Sequence, residues 1–422
     1  MNVLLSAYAC CPWKGSEPQI GWNWAREVSA VHPTWIVTRR LHQRAIEGYL
    51  AQNPMPKAHF IYVDIPRWAR AWKDLPGGVY LYYVLWQLLA YWRAKRLCAE
   101  VNFDLAQHVT FCAFWMPSFL PFLKAPFIWG PVGGGEAMPA AFRDELPLRQ
   151  RIFERIRDGM REFALLNPLV RAAARRSKLA LAGTPETAAY LDRLGCRNVQ
   201  TVPVVGVNRD DLRNLPSTFT QRDGKFRVMS AGRLLAWKGF HLVLLAMAEL
   251  RGQLDGFEYW IFGDGPDRRR LEDLVEALNL QDYVRFVAKV TRADLLARMQ
   301  GFHVLAHPSL HDSGGFVCLE AMAAGCPVIC LAMGGPAVQV DETSGFAVRS
   351  GSPQEAVSGI AEALLQLRGQ PELYARLSAG ARTRVCKELS FTHYMNQLSA
   401  YYGNAAGAEE TADRPVGAGV RA

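Results

Sequence analysis

Short apolar runs alternate with longer stretches of helical period along most of this chain. The first series places strands at 3–8, 35–38, 60–63, 105–109, 126–129, 179–182 and 199–202, with helices at 21–31, 77–101 and 185–194 and a basic helical stretch ahead of 179. Apolar strands separated by helices are the pattern of a parallel sheet covered on both faces. The pattern breaks at 203–223, where NRDDLRNLPSTFTQRDG is polar and rich in turn residues. A second series then follows, with strands at 226–231, 259–262, 284–287, 303–307, 328–331 and 345–348 and helices opening at Gly239, Asp267, Ala293 and Phe316. The expectation is an α/β chain of two doubly wound domains, 1–203 and 204–388, facing a central cleft. A last helix within 389–403 is expected to cross back to the first domain, with 404–422, rich in Ala and Gly, as a disordered tail.

Composition agrees with two sizeable cores: 422 residues, 50% hydrophobic and 21% charged. That excludes a disordered, collagen-like or disulfide-stapled chain. The longest apolar stretch, 79–92, carries Gln87 and falls short of the roughly 18 residues a membrane span needs. The amino terminus lacks a basic opening, an apolar stretch and a cleavage site, so a cytoplasmic chain is expected. Nine cysteines without a C-x-x-C pair argue against a disulfide framework and against zinc. The net charge of +9 lies wholly in the first half, where residues 1–205 hold 25 Lys and Arg against 15 Asp and Glu. Within it, 149–178 has nine basic and three acidic residues. Such an excess suits nucleic acid, an anionic membrane or a phosphorylated substrate, although single residues in it read more simply as a solvated helix face.

The most informative segment is HPSLHDSGGFVCLEAMAAGCPVI, 307–329, which reads strand, turn, helix, strand. Gly314 and Gly315 open a helix near Phe316 and leave the N–H groups of Gly315, Phe316 and Val317 facing a loop, a ready anion site. Asp312 and Glu320 bracket that turn, placed to accept hydrogen bonds from sugar and ribose hydroxyls. Taken singly, each acid reads more simply as a helix cap or an ordinary surface residue, and it is the whole segment that favours a site. In SAGRLLAWKGF, Arg233 follows a strand and Lys238 precedes a helix, both on the carboxyl edge of the sheet where open α/β sheets bind ligands. Two cations there can neutralise a diphosphate. FGDGP, 262–266, reads as a tight turn.

Together these segments resemble the carboxyl-terminal domain of the retaining family-four glycosyltransferases of the GT-B fold (glycosyl transferases group 1). The resemblance rests on Asp312 and Glu320 with seven residues between them, on Gly232–Arg233 with Lys238–Gly239, on the FGDGP turn, and on EAMAAGCPVI and TSGFAV. It implies that Arg233 and Lys238 grip the diphosphate of a nucleoside diphosphate sugar, Glu320 the ribose, and Asp312 the transferred sugar. The family usually has Glu at the first acid, so Asp312 is one methylene shorter. GSEPQIGWNWA, 15–25, resembles the family's loop after the first strand, where Gly15 would allow close backbone approach to phosphates. His108 matches a position near the reacting sugar, and is physically equally a satisfied structural histidine. Glu136 in GPVGGGE is a candidate for acceptor hydroxyls.

What the resemblance implies is retaining transfer of a sugar to a hydroxyl, without cofactor. With no Asp-x-Asp beside a donor strand (Asp210–Asp211 lies in the linker), no metal is expected. Arg67, Trp68, Arg70, Trp72 and Lys73, followed by Tyr80, Tyr82, Tyr83, Trp86, Tyr91 and Trp92, interleave cations with aromatics. This suggests peripheral contact with an anionic membrane on the inner face of the plasma membrane and a lipid-linked glycan acceptor, unless the aromatics are core. No nucleic-acid module is apparent. The competing readings are a catalytically inert GT-B-like protein that binds a glycan or partner, and a sugar-nucleotide epimerase of the same fold.

Overall fold

Strands β1 (Val3–Ser6), β2 (Thr34–Arg39), β3 (Ala58–Val63), β4 (Leu105–His108), β5 (Phe127–Val132), β6 (Ser177–Ala182) and β7 (Val199–Thr201) form one parallel sheet in the order β3-β2-β1-β4-β5-β6-β7. Its helices are α1 (Glu17–Val31), α2 (Gln43–Gln52), α3 (Gly78–Leu97), α4 (Leu148–Ala164), α5 (Pro168–Arg176) and α6 (Pro185–Leu194). The computed structural model describes residues 1–66, 77–208, 224–253 and 255–406. A second parallel sheet, ordered β10-β9-β8-β11-β12-β13, is built from β8 (Phe226–Ala231), β9 (Phe257–Phe262), β10 (Val284–Val287), β11 (Val304–His307), β12 (Val328–Leu331) and β13 (Gly345–Val348). With it go α7 (Phe240–Glu249), α8 (Arg268–Ala277), α9 (Arg292–Met299), α10 (Phe316–Ala323), α11 (Gly334–Gln339), α12 (Pro353–Gly369) and α13 (Pro371–Lys387). The last helix, α14, spans Phe391–Ala406.

Strands buried on both faces explain why the sequence reads as continuous apolar runs rather than alternation. Val3, Leu4 and Leu5 are wholly buried, as are Val304, Leu305 and Ala306. Local signals close the helices. Thr184 caps α6 by accepting from Thr187 N–H, Pro185 fills its first turn, and Gly195 ends it in the left-handed region at φ 92°. Helix α14 lies against α1, β4 and β6 of the first sheet. Trp24 of α1 meets Phe391 and Tyr394 edge-on at 5.9 and 5.5 Å, and Tyr402 donates to Gln107 of β4. Each aromatic pair adds about 0.5–1.5 kcal/mol beyond its buried area. Residues 404–406, expected to open the tail, continue this helix; 407–422 lie outside the described residues.

In each sheet the strand order reverses direction at one place, between β1 and β4 and between β8 and β11. At such a switch point the loops leaving the two strands diverge and open a crevice at their carboxyl ends. No helix among the described residues is long and apolar enough to cross a membrane.

Candidate active site

The β8/β11 switch point gathers the second domain's candidate residues. Gly263 after β9 packs directly on the backbone after β8, since a Cβ there would lie 1.9 Å from the Gly232 carbonyl oxygen. This close approach, rather than a turn alone, is what FGDGP provides. Beside it is a cavity of about 380 Å³ lined by Gly232, Arg233, Phe262, Asp264, Lys289 and Leu295, among others. Arg233 is exposed at its edge. Lys238 ends a short 3-10 turn, Ala236–Lys238, and Gly239 follows at φ 72° against the Pro308 carbonyl. That geometry brings the Lys238 ammonium onto Asp312 Oδ2.

Asp312 is held on every side. His307 Nε2 lies 3.1 Å from the same oxygen, and the N–H groups of Gly314 and Gly315 donate to Oδ1 at 3.1 and 3.2 Å. Burial opposes its ionisation, yet Lys238 and His307 hold the carboxyl well below the usual carboxylate range. His307 is itself pushed down by burial and by Lys238. Of the three N–H groups expected to be free, Gly315's is therefore occupied by Asp312. Those of Phe316 and Val317 at the start of α10 have no protein acceptor among the described residues. Glu320, one turn further on and 7% exposed, accepts from Arg292 Nε at 2.6 Å.

The β1/β4 switch point forms the opposite wall. Ser16 at φ 60° and Phe111 at φ 58° are two of three non-glycine residues with positive φ among the described residues. They flank one contact, in which the Glu17 carboxylate accepts from Phe111 N–H. Burial raises the Glu17 pKa, and that hydrogen bond opposes the rise. Glu17, Tyr80, Phe111, Trp115 and Arg157 of the first domain and Ser313 of the second line an interdomain cavity of about 250 Å³. Glu17 does not stand out in the sequence, where its only signal is the GSEP loop itself, because its partner Phe111 comes from the loop after β4.

Three expected site residues have other surroundings. His108 is 1% exposed at the end of β4, and its Nε2 lies 2.7 Å from Tyr83 Oη, 2.9 Å from Gln87 Nε2 and 3.1 Å from the Thr110 carbonyl oxygen. Burial lowers its pKa to about 4, and it does not line the cavity. Glu136 is equally enclosed. Its carboxylate accepts from Gly134 N–H, Thr184, Thr187 and Ser313 Oγ, at 2.9, 2.8, 3.1 and 2.7 Å, and it does not line the interdomain cavity. Gly15 is exposed and nothing approaches closer than 3.8 Å to a Cβ built on it, so no backbone contact requires glycine there. Tyr82, Tyr83 and Trp86 are buried core residues of α3, while Arg67, Trp68, Arg70, Trp72, Lys73 and Asp210–Asp211 lie outside the described residues.

The Glu136–Ser313 bond is one of several ties between the domains. His311 stacks on Trp237 at 4.3 Å and lies between Glu154 Oε1 at 3.0 Å and Arg157 Nη1 at 2.9 Å, both on α4. Gly334 N–H donates to Glu186 Oε1 at 3.2 Å. Among the described residues no group of three or more His, Cys, Asp or Glu is arranged to hold a metal ion.

Residues 214–384 match the family described as glycosyl transferases group 1. That match lies within the second domain and covers 171 of the chain's 422 residues. Over 227 residues, half of this chain and 61% of the relative, the sequence is 32% identical to the lipopolysaccharide core biosynthesis glycosyltransferase LpsD of Rhizobium meliloti. Over 315 residues, 69% of this chain and 72% of the relative, it is 28% identical to the putative colanic acid biosynthesis glycosyltransferase WcaL of Salmonella typhimurium. The chain spans 61%, 49% and 32% of the length of the first three curated relatives. Sucrose-phosphate synthase from Thermosynechococcus elongatus superposes with a TM-score of 0.63 at 20% identity, over 97% of this chain and 100% of that one. Anabaena HepE in complex with UDP and glucose gives 0.59 at 15% identity, over 96% and 100%. These two-domain relatives establish the fold as GT-B.

Proposed function

We propose that this group 1 glycosyl transferase domain and its partner domain form a retaining hexosyltransferase. It would move a sugar from a nucleoside diphosphate sugar to a hydroxyl of a lipid-linked glycan in cell-surface polysaccharide assembly. The observation that carries the reading is the β8/β11 switch point, where Arg233 lines a cavity of about 380 Å³ and Lys238, from the same loop, pairs with Asp312 just ahead of α10. The curated relatives named for lipopolysaccharide core and colanic acid biosynthesis support the surface-glycan part, and the UDP complexes of HepE support the nucleotide part.

In this reading the nucleoside enters the cavity, Arg233 and Lys238 neutralise the diphosphate, and Phe316 and Val317 N–H groups face its oxygens. Glu320 takes the ribose hydroxyls. Asp312, kept ionised by its neighbours, accepts from a hydroxyl of the transferred sugar. Glu17 replaces Glu136 as the carboxylate that orients the acceptor hydroxyl, with Trp115 and Phe111 as apolar walls. The diphosphate leaves on the face that the hydroxyl enters, and it takes the hydroxyl's proton as the new glycosidic bond forms. The protein's part is then positioning and charge stabilisation, without cofactor or metal. The enzyme would work in the cytoplasm, with its basic first domain against the inner face of the plasma membrane.

The test is nucleoside diphosphate release from UDP-, GDP- and ADP-sugars, with and without a membrane lipid extract from the producing cell. Release from one donor that depends on the extract is the expected result. Binding of a donor without release under any acceptor would return the chain to the inert reading; conversion of the donor's sugar without release would make it an epimerase.

A further inference from the structure

Helix α4 is built inside out. Of the fourteen large hydrophobic side chains exposed among the described residues, seven fall between Leu148 and Leu169. At about 100° per residue, Leu148, Ile152, Ile156 and Phe163 share one arc of α4, with Arg149 and Arg155 just beyond its two edges. Leu148 and Phe163 are each 69% exposed. The opposite arc carries Glu154, Arg157, Asp158 and Arg161, and it is this charged arc that packs into the protein. Glu154 and Arg161 are 2% and 1% exposed, and Arg161 Nε donates to the Gly134 carbonyl at 3.0 Å. A helix on a globular surface ordinarily turns these faces the other way.

We propose that the outer face of α4 docks on an anionic lipid bilayer, lying in the plane of the interface. Charge selects this occupant. The three acids between 149 and 178 are all engaged: Glu154 with His311, Asp158 with Arg143 and Arg161, Glu162 with Arg193. Arg149 and Arg155 make no ion pair among the described residues, so the apolar strip is framed by uncompensated positive charge. Apolar side chains with basic flanks are what a helix needs to bind anionic headgroups and enter the acyl boundary. A second copy of the same face would bring arginine against arginine, and nucleic acid has no use for the exposed leucine, isoleucines and phenylalanine. The proposal deepens the lipid-linked acceptor reading and in that sense rests on it, because Arg157 on the inner arc lines the interdomain cavity.

The experiment is co-sedimentation of the full chain with vesicles of phosphatidylcholine alone or with phosphatidylglycerol, at low and high salt. The wild type is expected to bind the anionic vesicles at low salt and to be released by salt. A triple variant, Ile152→Ser, Ile156→Ser and Phe163→Ser, should bind at least tenfold more weakly, and Arg149→Ser with Arg155→Ser should lose about fivefold per arginine. These side chains face solvent, so circular dichroism and melting of the variants should match the wild type. Wild-type protein left in the supernatant, or variants binding as well as wild type, would overturn the proposal. So would sedimentation equilibrium showing a dimer that the triple variant dissolves. Vesicle binding needs no sugar donor, so its failure is separate from failure of the transfer reading.

Discussion

At the β8/β11 switch point the Asp312 carboxylate meets a lysine, a histidine and two backbone N–H groups, whereas at the β1/β4 switch point Glu17 meets a single N–H between two left-handed residues. The topology is the same and the electrostatics are opposed. One carboxyl is pushed well down despite its burial, and the other is raised by burial. A site that must hold two negative phosphates needs fixed positive charge and an acid that never picks up a proton. A site that must hold a neutral hydroxyl needs an acceptor with spare capacity, and strain in the backbone beside it is the usual mark of a position kept for use.

The comparison breaks most visibly at Lys238. Lys238→Ala removes a cation of the proposed donor side and leaves the partly buried Asp312 with His307 and two backbone N–H groups as its partners. Transfer should fall by ~10²-fold or more, and urea unfolding should show a loss of ~3 kcal/mol. Adding Asp312→Asn should restore much of that stability and none of the transfer; recovered transfer would remove both residues from the donor site. On the other wall, Glu17→Gln should lower transfer by ~10²-fold while nucleotide affinity, followed by calorimetry, stays at the wild-type value. A parallel loss of nucleotide affinity would show that the two walls do not divide the work.

The pH profile sharpens the contrast. A raised pKa keeps Glu17 protonated to higher pH than an ordinary glutamate, so transfer that needs its carboxylate should fall as pH drops through that raised value. Glu17→Gln should abolish this limb, and Asp312, ionised far below the same range, should contribute none. An unchanged limb in the variant would assign it elsewhere. A smaller effect is expected from Ser313→Ala, which cuts the bond to Glu136 and should raise the donor KM about fivefold, the equivalent of one hydrogen bond of ~1 kcal/mol. Smallest of all is His108→Asn, which should lower the melting temperature and leave transfer per folded molecule unchanged. Reduced transfer by the folded variant would bring His108 back into the reaction.

The wall proposed for the donor could be picked out in the sequence because its parts are close together along the chain. Asp312, Gly315 and Glu320 lie on one strand–turn–helix, and strand ends can be placed to within a residue or two when both faces are apolar. The acceptor wall was not, since Glu17 acquires its meaning from Phe111, which lies 94 residues away. Glu136 looked available because its partners, Thr184, Thr187 and Ser313, are contributed by distant segments. The charge of 149–178 could be counted, but not the way α4 faces. Periodicity alone would bury Leu148, Ile152 and Ile156. Only the tertiary acceptors for Arg161 and the His311 partner for Glu154 turn the charged arc inward.

That orientation has a thermodynamic consequence. One seventeen-residue rod touches the outside world with one face and, through Glu154, Arg157 and His311, the loop of Asp312 with the other. If seating the outer face shifts the rod, it shifts the affinity of that loop for its nucleotide, and linkage is reciprocal. A nucleotide bound in the cleft would then change the grip of the outer face by the same factor and in the same direction, so the cargo in the cleft and the surface beneath the protein would report on each other.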